Sequence, residues 1–108
     1  MNEMKLQLQH LNLPARDPQA MARWYADTLG LQAEDNKVRG PGVLLAFQSG
    51  EPIDRASGLH AGYLVPSLTA LSQWAERLGG TISKGPEFSA FQIVDPEGNC
   101  VELYCKNE

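Results

Sequence analysis

Residues 10–30, HLNLPARDPQAMARWYADTLG, and residues 60–79, HAGYLVPSLTALSQWAERLG, decide the fold because they carry one pattern twice. Each stretch opens on a histidine, has a polar helix-capping residue seven positions later and a tryptophan fourteen positions later, and closes on leucine and glycine. Self-similarity at this period is typical of a duplicated supersecondary unit. His10 and His60 therefore take equivalent places in two copies, although matched helices alone do not require a matched histidine.

A helix follows the first strand of each copy. Asp17 followed by Pro18 predicts a helix start, and Ser67 predicts the same in the second copy. Apolar residues then recur at helical spacing, and Gly30 and Gly79 stand where a left-handed residue is preferred after a helix. The two tryptophans lie on these apolar stripes, so we expect them to be core residues rather than a binding platform.

Short strands complete each copy. The first strand is predicted over residues 5–13 with Pro14 as its stop, and three strands follow the helix up to about residue 49. The second copy repeats the order and closes with a hairpin around the turn 95–99. We predict an α+β fold in a single domain, residues 1–108, with βαβββ modules at about 4–49 and 58–106 and a linker at 49–57.

The composition argues against two classes of partner. The 108-residue chain has a formal net charge of -4, and its Lys and Arg residues are scattered, which is not typical of a nucleic-acid-binding protein. No apolar run approaches the ~20 residues of a membrane span and no targeting signal is visible, so a cytoplasmic protein is expected. Cys100 and Cys105 are predicted to point to opposite faces of one strand and to stay reduced.

The candidate chemistry lies on strand faces turned away from the helices. His10 and His60 are predicted on such faces of the two first strands. On the last strand an apolar set should pack under the second helix, which leaves Cys100, Glu102 and Tyr104 on the other face. Two imidazoles and a carboxylate suit a divalent metal. The alternative is that the histidines are structural residues that only form hydrogen bonds.

A family resemblance enters with two motifs. The opening His10-Leu11-Asn12-Leu13 with its helix, and the closing DPEGNCVEL at 95–103, resemble the vicinal oxygen chelate superfamily along essentially the whole chain. That superfamily includes glyoxalase I, fosfomycin-resistance thiol transferases, extradiol dioxygenases and bleomycin-resistance proteins. The resemblance implies an open, cup-shaped mixed sheet with helices packed outside, a homodimer, and one divalent metal held by His10, His60 and Glu102. This ligand set suits zinc, iron, manganese and nickel alike.

Departures from the pattern narrow the activity. Glyoxalase I enzymes resemble one another in a further glutamate from the first module, and our alignment places Leu45 opposite Glu102 there, so glyoxalase I activity itself is not expected. Beyond Glu102 only Lys106 is basic, which argues against the fosfomycin enzymes. The chain has only two histidines, whereas extradiol dioxygenases use a further one. The reaction type stays open among lyase or isomerase, thiol-transfer and ring-cleaving oxygenase chemistry.

The functional prediction is a metal-dependent, glyoxalase-like enzyme that binds two adjacent oxygens of a small oxygenated metabolite. Glu102 and Tyr104 are the candidate catalytic residues, and Asn12, Leu45 and Tyr104 are the candidate pocket residues. Strand-end hydrogen bonding is an equal alternative for Asn12, and packing is one for Tyr104. Two other classes stay open, namely a metal-free small-molecule binding protein of the bleomycin-resistance kind and a structural homodimer whose pocket has decayed.

Overall fold

The chain divides into two compact units. The computed structural model describes residues 4–107, apart from the side chain of Arg55. The first unit ends at Pro52 and the second begins at Ile53, so the division falls inside the predicted linker. Each unit has the order strand, helix and three strands, which confirms the α+β class and the two βαβββ modules. That they form a single domain stays a prediction.

The first unit packs one helix against a four-stranded sheet. Its elements are β1 (His10–Ala15), α1 (Pro18–Leu29), β2 (Gln32–Glu34), β3 (Lys37–Arg39) and β4 (Leu44–Ser49). The strand order is β1-β4-β3-β2, with β1 parallel to β4 and the other pairs antiparallel. The helix begins as predicted, because the Asp17 carboxylate accepts a hydrogen bond from the Ala20 amide at 3.1 Å.

The first strand differs from its prediction at both ends. Residues 5–9 lie outside any strand, and β1 begins at His10 and continues through Pro14 to Ala15. Pro14 is tolerated because β1 is an edge strand of its sheet, where a missing amide hydrogen removes no bond to a neighbour.

The second unit repeats the architecture. A short 3-10 turn (Arg55–Ser57) precedes β5 (His60–Leu64), α2 (Leu68–Leu78), β6 (Ser83–Lys84), β7 (Phe88–Val94) and β8 (Cys100–Lys106). The order is β5-β8-β7-β6, and β5 runs parallel to β8. The predicted turn between β7 and β8 is held by Asp95, whose carboxylate accepts from the amides of Glu97 at 3.0 Å and Asn99 at 2.9 Å. This turn fixes the register of the last two strands.

Each helix covers one face of the sheet in its own unit. In the first unit the ring of Tyr25 on α1 packs on Phe47 of β4, with centroids 5.4 Å apart. In the second unit the residues under α2 are the predicted apolar set of β8, all almost fully buried: Val101, Leu103 and Cys105. The alternate residues of β8 therefore lie on the face that α2 leaves open, which we call the open face of the second sheet.

The tryptophans are not core residues, so that prediction was wrong. Trp24 and Trp74 are both half-buried, whereas the buried positions of the helices are Met21, Ala22, Tyr25, Leu29, Leu71 and Ala75. Trp24 packs edge-on against Tyr25, and the Arg77 guanidinium lies 5.5 Å from the centre of the Trp74 ring. Each indole is thus at the margin of its helix–sheet interface. Within residues 4–107 neither helix has the length and apolarity that a membrane crossing requires.

Candidate functional site

His60 and Glu102 meet on the open face of the second sheet. They stand on the adjacent parallel strands β5 and β8, where His60 pairs with Cys100 and Gly62 pairs with Glu102. The Nε2 atom of His60 is 3.8 Å from Oε1 of Glu102, which is beyond hydrogen-bond distance. Both side chains are partly exposed, at 40% and 26%. The structure thus brings together two of the predicted metal ligands.

Neighbouring groups orient both donors. The Nδ1 atom of His60 lies 2.9 Å from the carbonyl oxygen of Gly58. Because a carbonyl oxygen only accepts, Nδ1 carries the hydrogen, so in the neutral form of the ring the lone pair is on Nε2, the atom nearest Glu102. The Gln92 amide donates to Oε2 of Glu102 at 3.4 Å, which leaves Oε1 on the side of His60.

His10 has the equivalent position in the first unit. It is exposed at the start of β1, and Asn12, also exposed, follows on the same strand face. The Nδ1 atom of His10 is 2.6 Å from Oε1 of the Gln9 side chain, so the same tautomer results and Nε2 again keeps its lone pair. Among residues 4–107 no three His, Cys, Asp or Glu side chains group closely enough to hold a metal ion. His10 as a third ligand stays a prediction.

The strand register corrects the alignment of the two copies. Glu102 pairs with Gly62, two residues after His60, and the residue that pairs with Asn12, two after His10, is Ala46. Leu45 lies on the helix-covered face, opposite Val38, and is only 5% exposed. It is therefore a core residue and not a pocket residue. The conclusion drawn from it is unchanged, because Ala46 also provides no carboxylate.

Tyr104 lies on the open face beside residues that the sequence analysis missed. Its ring makes an edge contact with Phe88 of β7, with centroids 5.8 Å apart, and the side chain is half-buried. Gly62 lies between His60 and Leu64 on the same face of β5. Phe88 and Gln92 could have been found, since the turn 95–99 sets the β7–β8 register and alternate residues share a face.

A second tyrosine lies outside this group. Tyr63 is on β5 opposite Leu103, on the face that α2 covers. Burial raises the pKa of Tyr63 from 10.0 to about 12, because the charged phenolate loses its hydration. Tyr63 is therefore a packing residue with its proton retained at neutral pH.

Comparisons with known proteins agree with this architecture. The family model of the glyoxalase-like domain matches residues 10–104. The chain therefore belongs to the glyoxalase-like domain family, within the vicinal oxygen chelate superfamily. No curated protein sequence matches it significantly.

Solved structures share the fold along nearly the whole chain. A possible glyoxalase from Bacillus cereus has a TM-score of 0.74 at 22% identity, covering 93% of this chain and 99% of that one. The oxidase ChaP-H2 has a TM-score of 0.69 at 25% identity and 96% coverage of both chains. Lactoylglutathione lyase from Agrobacterium tumefaciens has a TM-score of 0.63 at 19% identity, covering 90% of this chain and 91% of that one. A protein named as a lyase and one named as an oxidase thus share this fold.

Proposed function

We propose that this chain is a divalent-metal-dependent enzyme that binds two adjacent oxygens of a small oxygenated metabolite. His60 and Glu102 are the proposed ligands from the second unit, and His10 is the proposed third ligand from the first. The observation that carries the proposal is the approach of His60 Nε2 to within 3.8 Å of Oε1 of Glu102, while Nδ1 of the same ring is held by the Gly58 carbonyl oxygen.

The donor pair fits a divalent cation. Two ligands that are each about 2.1 Å from one ion are about 3.0–3.4 Å apart at octahedral to tetrahedral angles. The observed separation of 3.8 Å exceeds this range by about 0.4–0.8 Å, a distance that side-chain rotation can supply. The hydrogen bonds from His60 to Gly58 and from Gln92 to Glu102 are the outer contacts that commonly orient metal ligands.

The chain's own residues have distinct proposed roles. A bound cation would supply Lewis-acid stabilisation of negative charge on a chelated substrate oxygen. Glu102 would offset the cation's charge, and Tyr104 is two residues further along the same face of β8, about 7 Å away. The Tyr104 hydroxyl is proposed to donate a hydrogen bond to substrate, and Asn12 to orient it from the first unit.

The first unit limits the reaction type. Ala46 stands at the position equivalent to Glu102, so the first unit supplies no second carboxylate from that strand position. An isomerisation that needs a carboxylate base there is not supported. A lyase, thiol-transfer or oxygenase reaction that takes its proton donor from Tyr104 or from the substrate is compatible with these residues. The predicted homodimer and cytoplasmic location stay predictions.

A metal-free binding protein is the second candidate. The grouping of two donors rather than three among residues 4–107 favours it. In that case the open face holds a small ligand through hydrogen bonds with the His60 ring and the accepting Glu102 carboxylate, as the resemblance to bleomycin-resistance proteins implies.

Metal content distinguishes the two candidates. The protein is purified without chelators and its metal is measured by inductively coupled plasma mass spectrometry, followed by titration of the stripped protein with zinc. The enzyme proposal predicts close to one ion per chain, and about a hundredfold weaker binding after His60→Ala or Glu102→Gln. Glu76→Gln, which neutralises an exposed carboxylate on α2, is the matched control and should change nothing. Equal, negligible metal in all four proteins would favour the metal-free binder.

A further inference from the structure

The open face of the second sheet carries an apolar patch next to the donor pair. Leu64 and Phe88 are 67% and 46% exposed, although both are large apolar side chains on strands. Tyr104 lies between them, paired with Leu64 across the β5–β8 register and in ring contact with Phe88. We call Leu64, Phe88 and Tyr104 the apolar patch. Its exposure is unusual because strand side chains of this size are normally covered.

The patch is continuous with the donor pair. Glu102 and Tyr104 are two residues apart on one face of β8, as are Gly62 and Leu64 on β5, a spacing of about 7 Å. Gly62 has no side chain to separate the two groups. A Cβ atom there would be 3.6 Å from Cε1 of Tyr104, an ordinary contact, so the Tyr104 ring lies beside Gly62 and extends the apolar patch toward the donor pair.

The size of the patch fits a small molecule better than a protein. An aromatic side chain has roughly 150–250 Å² of surface, so the exposed parts of Leu64 and Phe88 together offer on the order of 200 Å². A stable protein interface needs about 800 Å² from each partner. One flat ring needs much less, and the edge-on Tyr104–Phe88 pair is a surface on which such a ring can pack.

From this arrangement we propose that the substrate carries an aromatic or other flat apolar group within about one ring's length of its two chelating oxygens. The oxygens bind at the His60–Glu102 end, and the ring packs on the apolar patch across Gly62. This inference rests on the proposed metal-dependent function, and it identifies the substrate class that function leaves open.

A pair of hydroxamates tests the proposal, because each chelates a metal through two adjacent oxygens. Binding of acetohydroxamate and benzohydroxamate to zinc-loaded protein is measured by calorimetry. Benzohydroxamate should bind about tenfold more tightly, since only its ring reaches the patch. Leu64→Ser and Phe88→Ser should each reduce this ratio toward one without changing acetohydroxamate affinity. Leu68→Ser, the same substitution at an exposed leucine of α2, is the matched control and should leave the ratio unchanged.

Two further results separate failure of this inference from failure of the proposed function. Equal affinity for both hydroxamates, or a ratio unaffected by both patch variants, would overturn the apolar subsite while leaving the metal site intact. Failure of acetohydroxamate to bind would count against the metal function alone. In that event nuclear magnetic resonance of metal-free protein with 2-naphthol should shift the Leu64 and Phe88 signals, and shifts elsewhere would overturn the subsite. Sedimentation showing a dimer that Phe88→Ser dissociates would assign the patch to a second copy instead.

Discussion

Gly80→Ala should destabilise the second unit strongly, because Gly80, two residues after α2, lies directly on the ring of Phe91. A Cβ atom on Gly80 would be 2.3, 2.8 and 2.9 Å from three atoms of that ring, whereas ordinary contacts begin at 3.4 Å. The nearest contact must therefore lengthen by 3.4 − 2.3 = 1.1 Å. Phe91 is only 2% exposed, so its ring has little room to move.

The expected loss follows from the cost of overpacking a core. Such substitutions typically cost about 1–3 kcal/mol, and we expect about 2 kcal/mol here because a rigid ring is involved. For a domain of this size the midpoint of thermal unfolding should fall by about 8 °C or more. Thermal and urea unfolding followed by circular dichroism measure both quantities.

Matched variants make the steric explanation refutable. Gly62→Ala adds the same methyl group where the nearest atom, Tyr104 Cε1, is 3.6 Å away, so stability should change by less than about 0.5 kcal/mol. Phe91→Leu makes room for the new methyl, and the loss in the double variant should be smaller than the sum of the two single losses. Equal losses in Gly80→Ala and Gly62→Ala, or simple additivity with Phe91→Leu, would show that ring contact is not the cause.

Three other predictions concern separate features of the second unit. The unfolded chain releases the Tyr63 proton near pH 10 and the folded chain holds it to about pH 12, so stability should fall as pH rises through this window. Between pH 9 and 11.5 the free energy of urea unfolding should fall by about 1 kcal/mol more in the wild-type chain than in Tyr63→Phe, a figure discounted for the partial exposure of the ring. An unchanged pH dependence in the variant would refute the assignment. Gln92→Leu should weaken zinc binding about tenfold, because it removes the hydrogen bond that orients the Glu102 carboxylate. An unchanged zinc affinity in the variant would contradict this role. Ser67→Ala should lower the free energy of urea unfolding by about 1 kcal/mol, because it removes the hydroxyl that accepts from the Ala70 amide at 3.1 Å. Ser67→Asp, which can still cap the helix, should retain most of the wild-type stability.

Residue patterns within a few positions of each other predicted the helix starts, the hairpin turn and the faces of the last strand. Both helix starts have the expected side-chain caps, and the turn between β7 and β8 falls at the predicted residues 95–99, where Asp95 holds it. The faces of β8 follow from simple alternation, so Glu102 and Tyr104 were placed correctly on the face away from α2.

Features that depend on distant pairing were harder to predict. The parallel register of β1 and β4 joins residues more than thirty positions apart, and no local residue marks it. A slip of one residue exchanges the two faces of a strand, which is how Leu45 was mistaken for the equivalent of Glu102 in place of Ala46. Pro14 was read as a strand stop because its edge location appears only in the assembled sheet.

The placement of β8 between β5 and β7 determines the order in which the strands of the second unit can pair during folding. His60 and Glu102 are separated by 42 positions, and they become neighbours only when the final strand inserts beside β5. Such a long loop closes slowly and late. During synthesis from the amino terminus, β5 therefore has no strand partner until α2, β6, β7 and finally β8 have been synthesised. An ion bound by both side chains would thus be taken up only after β8 has paired with β5, and it would then stabilise that long-range contact.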